Sequence, residues 1–333
     1  MTDREKIIKG LEYCSKGCSR NCPYFETEGC TALLANDAVR DYIAETGNKK
    51  FLSENCNGRP LKEILHSIVR HYQSGTYNNI IMDKDSGLIY SPSHFSWMDT
   101  NYPAGTPREG YPIEIQALWY AALEFLGEKS LAAKVQKSIE KYYFTGPVVS
   151  DCLHCTAGTP ASQAIPDDHL RCNILTAITL GAIADKVKQQ KILNAASKLL
   201  IPGAIRTLDD SPVTYQLPII RDGQLLNNPN YPYQGCYRGP EDTSRKVAYH
   251  NGTAWCWPFP AYCEALAVAG DTQNRKRALA LLMSAIQWME TGVIGEMPEV
   301  LDGHAPHRHG GCLAQAWSVS EFFRVFKILK KAD

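Results

Sequence analysis

The sequence lacks a net charge: 35 Lys and Arg residues balance 35 Asp and Glu, and no stretch gathers basic residues into a run. A chain without a positive field has little with which to draw in a polyanion or an anionic bilayer surface. Nucleic-acid and membrane-surface binding are therefore set aside as functions. No apolar run approaches the ~18 residues that a membrane span needs, and the opening MTDREKIIKG is too polar for the core of a secretory signal. A cytoplasmic location is expected, in which cysteines stay thiols or bind metal rather than form disulfides, and the NGT sequon at Asn251 is idle. Strand signals are few. Only NNIIMDKDSGLIYS and VTYQLPIIRDGQLL carry the turn residues and apolar flanks of short hairpins. No segment repeats another residue by residue, so a tandem solenoid is not supported.

Apolar residues, at 44% of 333, are ample for a large core. Their helical periodicity recurs in pairs. IEIQALWYAALEFLG puts Ile115, Leu118, Trp119, Ala122 and Leu126 on one stripe, and the polar-faced LAAKVQKSIEKYYF follows. HLRCNILTAITLGAIAD, apolar nearly all round from Ile174, precedes the amphipathic KVKQQKILNAASKLLIPG, which stops at Pro202-Gly203. GTAWCWPFPAYCEALAVAG and DTQNRKRALALLMSAIQWMETG form a third pair, with RPLKEILHSIVRHYQ as an early helix and CLAQAWSVSEFFRVFKILKK as a terminal one. A buried helix followed by a solvated one, again and again, predicts an all-α chain built as an α/α toroid, with short β-hairpins in its loops. No linker divides residues 45 to 333.

The chemistry-bearing residues fall in four connections. SHFSWMDTNYPAGTPREGYPIEI holds Trp97 and Asp99 ahead of a helix that opens near Glu114; PDDHLRCN holds Asp168, Arg171 and Asn173. YHNGTAWCWPF holds Tyr249, His250, Asn251, Trp255 and Trp257, and GEMPEVLDGHAPHRHGGCLAQAWS holds Glu296, Glu299 and Asp302. Acids interleaved with aromatics suit a sugar, whose ring faces are apolar and whose rim is hydroxyl. Cleaving a glycosidic bond needs two carboxyls, one to give a proton and one to act as base or nucleophile. Glu299 follows Pro298, whose fixed φ stiffens the segment, and Glu296 is its rival. Asp302, beside Gly303, reads as a loop-shaping acid, and Trp317, inside an apolar helix, as packing.

SWMDTNYPAGTPREGYPIEIQALWYAAL, LRCN, YHNGTAWCWPF and GEMPEVLDGHAPHRHGGCLAQAWSV resemble successive motifs of the amylo-α-1,6-glucosidase domain of glycogen debranching enzymes, from about residue 36 to 330. The resemblance implies an (α/α)6 barrel, hydrolysis of α-1,6-linked glucose with inversion, an α-glucan or branched oligosaccharide as substrate, and no required cofactor. It matches Asp99 to the general acid and Glu299 to the general base. Arg108, Glu114, Arg171, Asn173 and His250 match positions that line the glucose subsite. Trp97, Asn251, Trp255 and Gln315 in the same motifs, with Asp168 just ahead of LRCN, complete the expected substrate-binding set. Gln116 replaces a more usual Asn, and Cys172 a Pro. The family's domain has further helices upstream, so an incomplete toroid is expected here, and a catalytically weak glucan-binding module of the same fold is the alternative.

Residues 1–35 read as a separate Cys-rich segment ahead of a domain at 36–333. Cys14, Cys18, Cys22 and Cys30, spaced C-x3-C-x3-C-x7-C, offer a four-thiolate structural zinc clip, with free thiols as the plainer reading. His304, His307, His309 and Cys312 also have short ligand-like spacing, and Cys152 and Cys155 make a pair with nothing nearby to complete a tetrahedron.

Overall fold

The computed structural model describes residues 31–56, 58–100 and 106–331. The four cysteines Cys14, Cys18, Cys22 and Cys30 lie outside the described residues. Ten α-helices and a set of very short strands occur among them, and none of these helices is long and apolar enough to cross a membrane. The chain divides into two compact units. One takes the described residues up to Asp99 with Arg108–Tyr143 and Cys152–Ile165; the other takes the described residues of 100–107, Phe144–Asp151 and the described residues from Pro166 onward.

In the first unit, α1 (Thr31–Thr46) and α2 (Leu61–Ser74) pack on α3 (Ile113–Leu126), which is followed by α4 (Lys129–Tyr142). Helix α1 was not expected from periodicity, and it runs through residue 36. Buried Leu61, Ile64, Leu65, Ile68, Val69 and Tyr72 recur at three- and four-residue steps along α2, so that one face seals against its neighbours. Helix α3 is buried almost all round, whereas α4 buries only Ala132, Val135, Ser138 and Ile139. This is the buried-then-solvated order that the sequence predicts. Gly127 in the left-handed region closes α3. The hairpin β1 (Ile81–Met82) and β2 (Ile89–Tyr90) forms where expected. Gln116, where the resembled family has Asn, accepts from the Ile89 N–H at 2.7 Å and donates to its carbonyl at 2.9 Å. The longer amide thus replaces a strand partner. Strand β3 (Gly110–Pro112) pairs with β4 (Cys152–His154) and leads straight into α3.

In the second unit, α8 (Phe259–Ala269) is the central helix, packed on α5 (Ile174–Thr179), α6 (Lys186–Ala196), α9 (Thr272–Met283) and α10 (Ala316–Lys330). Asp185 caps α6 through the Val187 and Lys188 N–H groups, and Asp271 caps α9 through Asn274. Between α8 and α10, Arg324 lies 2.7 Å from Glu264 and 3.0 Å from Glu321. Helix α5 is much shorter than the pattern from His169 to Asp185 predicts. The residues before Ile174 are committed to a buried polar network described below, and Gly181 at φ 80° ends the helix. A short helix α7 (Lys246–Tyr249) precedes the strand that follows it.

One sheet was not expected. Its five strands, β5 (Leu200–Ile201), β6 (Ala204–Arg206), β7 (Ala254–Trp255), β8 (Val300–Leu301) and β9 (His309–Gly310), run antiparallel in the order β9-β8-β7-β6-β5. It ties the loop after α7 to the acid-rich segment before α10, and so positions the candidate site.

Candidate active site

Glu299 sits one residue before β8 and is held on every side. Its N–H donates to the Cys312 carbonyl at 2.8 Å, the carbonyl of Met297 accepts from Gln315 N–H at 2.8 Å, and that of Pro298 accepts from the Ser318 hydroxyl at 3.2 Å. The side chain is cradled as well. Tyr249 donates its hydroxyl to Oε1, and the Cys312 N–H donates to Oε2 at 2.6 Å. The carboxylate is half-buried. Gly311 passes directly against it with φ 64°, and a Cβ there would overlap the Glu299 carboxylate. Gly311→Ala is expected to destabilise the fold by only about 1–2 kcal/mol yet to lower turnover at least roughly tenfold, because displacing a catalytic group by about 1 Å is enough for losses of up to ~10²-fold. A melting curve read beside kcat separates the two effects.

Tyr249 is itself fixed from behind. Its carbonyl accepts from Thr253 Oγ1 at 2.6 Å and Trp255 Nε1 at 3.0 Å, and its ring meets Tyr237, His250 and Trp255 at 4.7–5.3 Å. His250 stacks on Trp255 at 5.3 Å. Burial, with the nearby Glu299 charge adding to it and Arg245 opposing it, raises the Tyr237 phenol above its ordinary value.

Beneath this layer the structure brings together Arg171, Asn173, His250 and Asn251, all buried. Arg171 donates to the carbonyls of Thr207 and His250 and to Asn251 Oδ1 at 2.8 Å, and its Nε lies 3.6 Å from Asp151. Asn173 donates to the other Asp151 oxygen at 2.8 Å. These side chains fasten the segments 149–151, 171–173, 207 and 247–251 to one another. Asp151, which periodicity does not single out, is the hub. Trp255 is likewise buried, with its N–H committed to Tyr249 and Thr253.

The Asp99 region belongs to the first unit and is built differently. Asp99 is exposed and Trp97 half-buried. The turn that carries it starts at Ser96, whose Oγ accepts from Met98 N–H at 3.3 Å and from Arg108 Nη1 at 3.0 Å. Arg108 also makes two parallel bonds of 2.5 Å to Glu114. Burial holds the His94 imidazole below its ordinary value, against the opposite pull of Asp99. Arg108 and Glu114 are both buried, so removing one leaves an uncompensated interior charge. Arg108→Met is expected to cost about 3 kcal/mol, most of it recovered by adding Glu114→Leu. Denaturant midpoints of the two variants measure this.

The remaining predicted residues serve the backbone. Asp168 accepts from Thr214 N–H and Oγ1 and from Tyr215 N–H at 2.7–3.0 Å. Its partial burial works against ionisation, but these bonds and His169 hold the carboxyl below its ordinary value. Asp302 accepts from Tyr237 N–H and from Arg238, shaping the loop as expected. Gln315 caps α10. The three histidines of the same loop take separate neighbours: His304 the Tyr233 ring, His307 the Asp302 carbonyl, His309 the Trp288 ring and Thr291. Among the described residues no three His, Cys, Asp or Glu side chains gather to hold a metal ion. The eight described cysteines are free thiols, Cys152 against the Arg108 carbonyl and Cys155 against that of Thr159. Trp317 packs face to face on Trp257 at 5.0 Å and edge-on to Trp255 at 6.2 Å, and is 38% exposed.

The chain matches the family described as Amylo-alpha-1,6-glucosidase over residues 20–225 and 223–324. No curated protein matches it in sequence. Among solved structures it is similar to the neutral trehalase of Saccharomyces cerevisiae, with a TM-score of 0.51 and 12% identity, over 91% of this chain and 62% of the trehalase. The chain thus spans less than two thirds of that enzyme's length. At such identity the likeness shows the fold alone, which is all-α and consistent with an (α/α)6 toroid.

Proposed function

The chain belongs to the amylo-alpha-1,6-glucosidase family, and from that membership we propose that it is a glycoside hydrolase that releases single α-1,6-linked glucose units from a branched α-glucan with inversion. Glu299 is the general base and Asp99 the general acid. The observation that carries this reading is the Glu299 cradle: Tyr249 and the Cys312 N–H occupy one lone pair on each oxygen. They stiffen the carboxylate and leave lone pairs to take a proton from water. Glu296 shares none of this support. We assign Arg171, Asn173, His250, Asn251, Trp255, Arg108 and Glu114 as positioning residues for the two carboxyls, Asp168 as a loop staple, and Trp97 and Gln315 as substrate neighbours. Two carboxyls and a water suffice for the reaction, so no cofactor is invoked, and the abundance of free thiols suits a cytoplasmic setting.

Glucose release from an α-1,6-branched limit dextrin, with an α-1,4 oligosaccharide beside it, tests the proposal. Rapid release of β-glucose from the dextrin supports it, and α-glucose as first product overturns inversion. The exposure of Asp99 favours a second reading, a glucan-binding module with weak turnover; binding of the dextrin without glucose release would establish that instead. Trp317 is 38% exposed at the start of α10, close in sequence to the Glu299 loop. Trp317→Ala is expected to raise KM roughly fivefold with little change in kcat, the scale of an aromatic contact worth about 1 kcal/mol.

A further inference from the structure

Helices α6, α8 and α9 enclose a cleft of about 500 Å³, made of none of the residues assigned above. Its size falls in the range of ~300–1,000 Å³ typical of small-ligand sites. Leucines and Tyr262 form the walls, while Gln190, Asn194, Ser197, Asn274 and Arg277 supply the polar groups. No carboxylate lines it.

The hydrogen-bond inventory narrows the ligand. Gln190 Nε2 donates to Asn194 Oδ1 at 2.8 Å, which leaves the Gln190 oxygen and the Asn194 amino group available. The Ser197 hydroxyl donates to the Asn194 carbonyl at 2.7 Å and keeps its acceptor lone pairs. Among the described residues, neither the Asn274 amide nor the Arg277 guanidinium makes a side-chain hydrogen bond or an ion pair within the chain. Donors and acceptors therefore alternate around the cleft, with one positive charge. A hydrocarbon ligand would strand these groups without partners. A phosphate would meet amide and hydroxyl oxygens with a single cation to offset them. A neutral ligand whose adjacent hydroxyls both donate and accept meets every group, and the leucine and tyrosine walls suit the apolar faces of sugar rings.

We propose that this cleft is a second carbohydrate site, which holds an α-1,4 strand of the polymer while a branch end is processed at the Glu299 cradle. The naming of an α-glucan rests on the function proposed above; the recognition of a neutral, hydroxyl-rich oligosaccharide does not. The test pairs Asn274→Ala with Arg277→Ala in the full chain. Asn274 is half-buried and Arg277 exposed, and the Asp271 cap uses the backbone of residue 274, so the melting temperature is expected to hold.

The double variant is expected to raise the limit-dextrin concentration for half-maximal rate at least ~fivefold and to leave kcat/KM on a small activated glucoside unchanged. Calorimetric titration with maltoheptaose should lose one of two binding events. Unchanged dextrin kinetics together with unchanged maltoheptaose binding overturn the proposal. So does inorganic phosphate binding that vanishes with Arg277→Ala while glucan binding persists. If the wild-type chain neither binds nor cleaves α-glucan, the glucosidase reading fails by itself. The cleft is then tested with a panel of other neutral oligosaccharides: loss of whichever binds, in the double variant, supports the site, and a variant that binds the whole panel as wild type does, or a panel of which nothing binds, overturns it.

Discussion

Glu299→Gln is expected to fold normally, to bind the branched dextrin and to lose glucose release by at least ~10²-fold, within the 10²–10⁴ that a general base contributes. The structure explains why folding is spared. The carboxamide oxygen can accept from the Cys312 N–H, as Oε2 does now. Its amino group then faces Tyr249, whose hydroxyl turns from donor to acceptor. What is lost is only the capacity to take a proton from water. Azide needs no such proton transfer, so it should restore reaction of the variant with α-glucosyl fluoride. Glu296→Gln, three residues earlier and outside the cradle, should leave the rate within a few-fold of wild type. An inactive Glu296→Gln beside an active Glu299→Gln would move the base to Glu296.

The helices were legible where burial imposes a period. Helix α3 buries nearly every side and α4 one stripe, and both patterns stand in IEIQALWYAALEFLG and LAAKVQKSIEKYYF. The long helix predicted from His169 failed because Arg171 and Asn173 answer to a polar network whose hub, Asp151, is some twenty residues away in sequence. The five-stranded sheet escaped notice for a simpler reason. Its strands are two or three residues long, too short for a period of two to register. Within the site, carboxylates and aromatics announce themselves as residue types, so Glu299, Tyr249 and His250 were visible. The Cys312 N–H is a backbone group and carries no side-chain signal; the Gly310-Gly311 pair beside it was its one trace. Arg108 and Glu114 were visible as charges, but their mutual pairing through a loop was not.

Asp99→Asn should separate the acid's role from the base's. Asp99 is exposed, so the substitution is expected to change stability by no more than about 0.5 kcal/mol, and any loss of rate is chemical. In the dextrin the leaving group is a sugar hydroxyl, which departs only if protonated as the bond breaks. Turnover should therefore fall by ~10²-fold or more. A dinitrophenyl α-glucoside leaves as a stable anion without a proton, and on it the deficit should shrink below roughly tenfold. Azide should not help, because attack on the anomeric carbon is not what the variant lacks. The two carboxyls thus predict opposite patterns: Glu299→Gln responds to the nucleophile and not to the leaving group, Asp99→Asn to the leaving group and not to the nucleophile. The Ser96 hydroxyl, held by Arg108, supports the turn that carries Asp99, so Ser96→Ala should show a weaker form of the same leaving-group dependence. An equal deficit of Asp99→Asn on both substrates would remove it as the proton donor and favour the glucan-binding module.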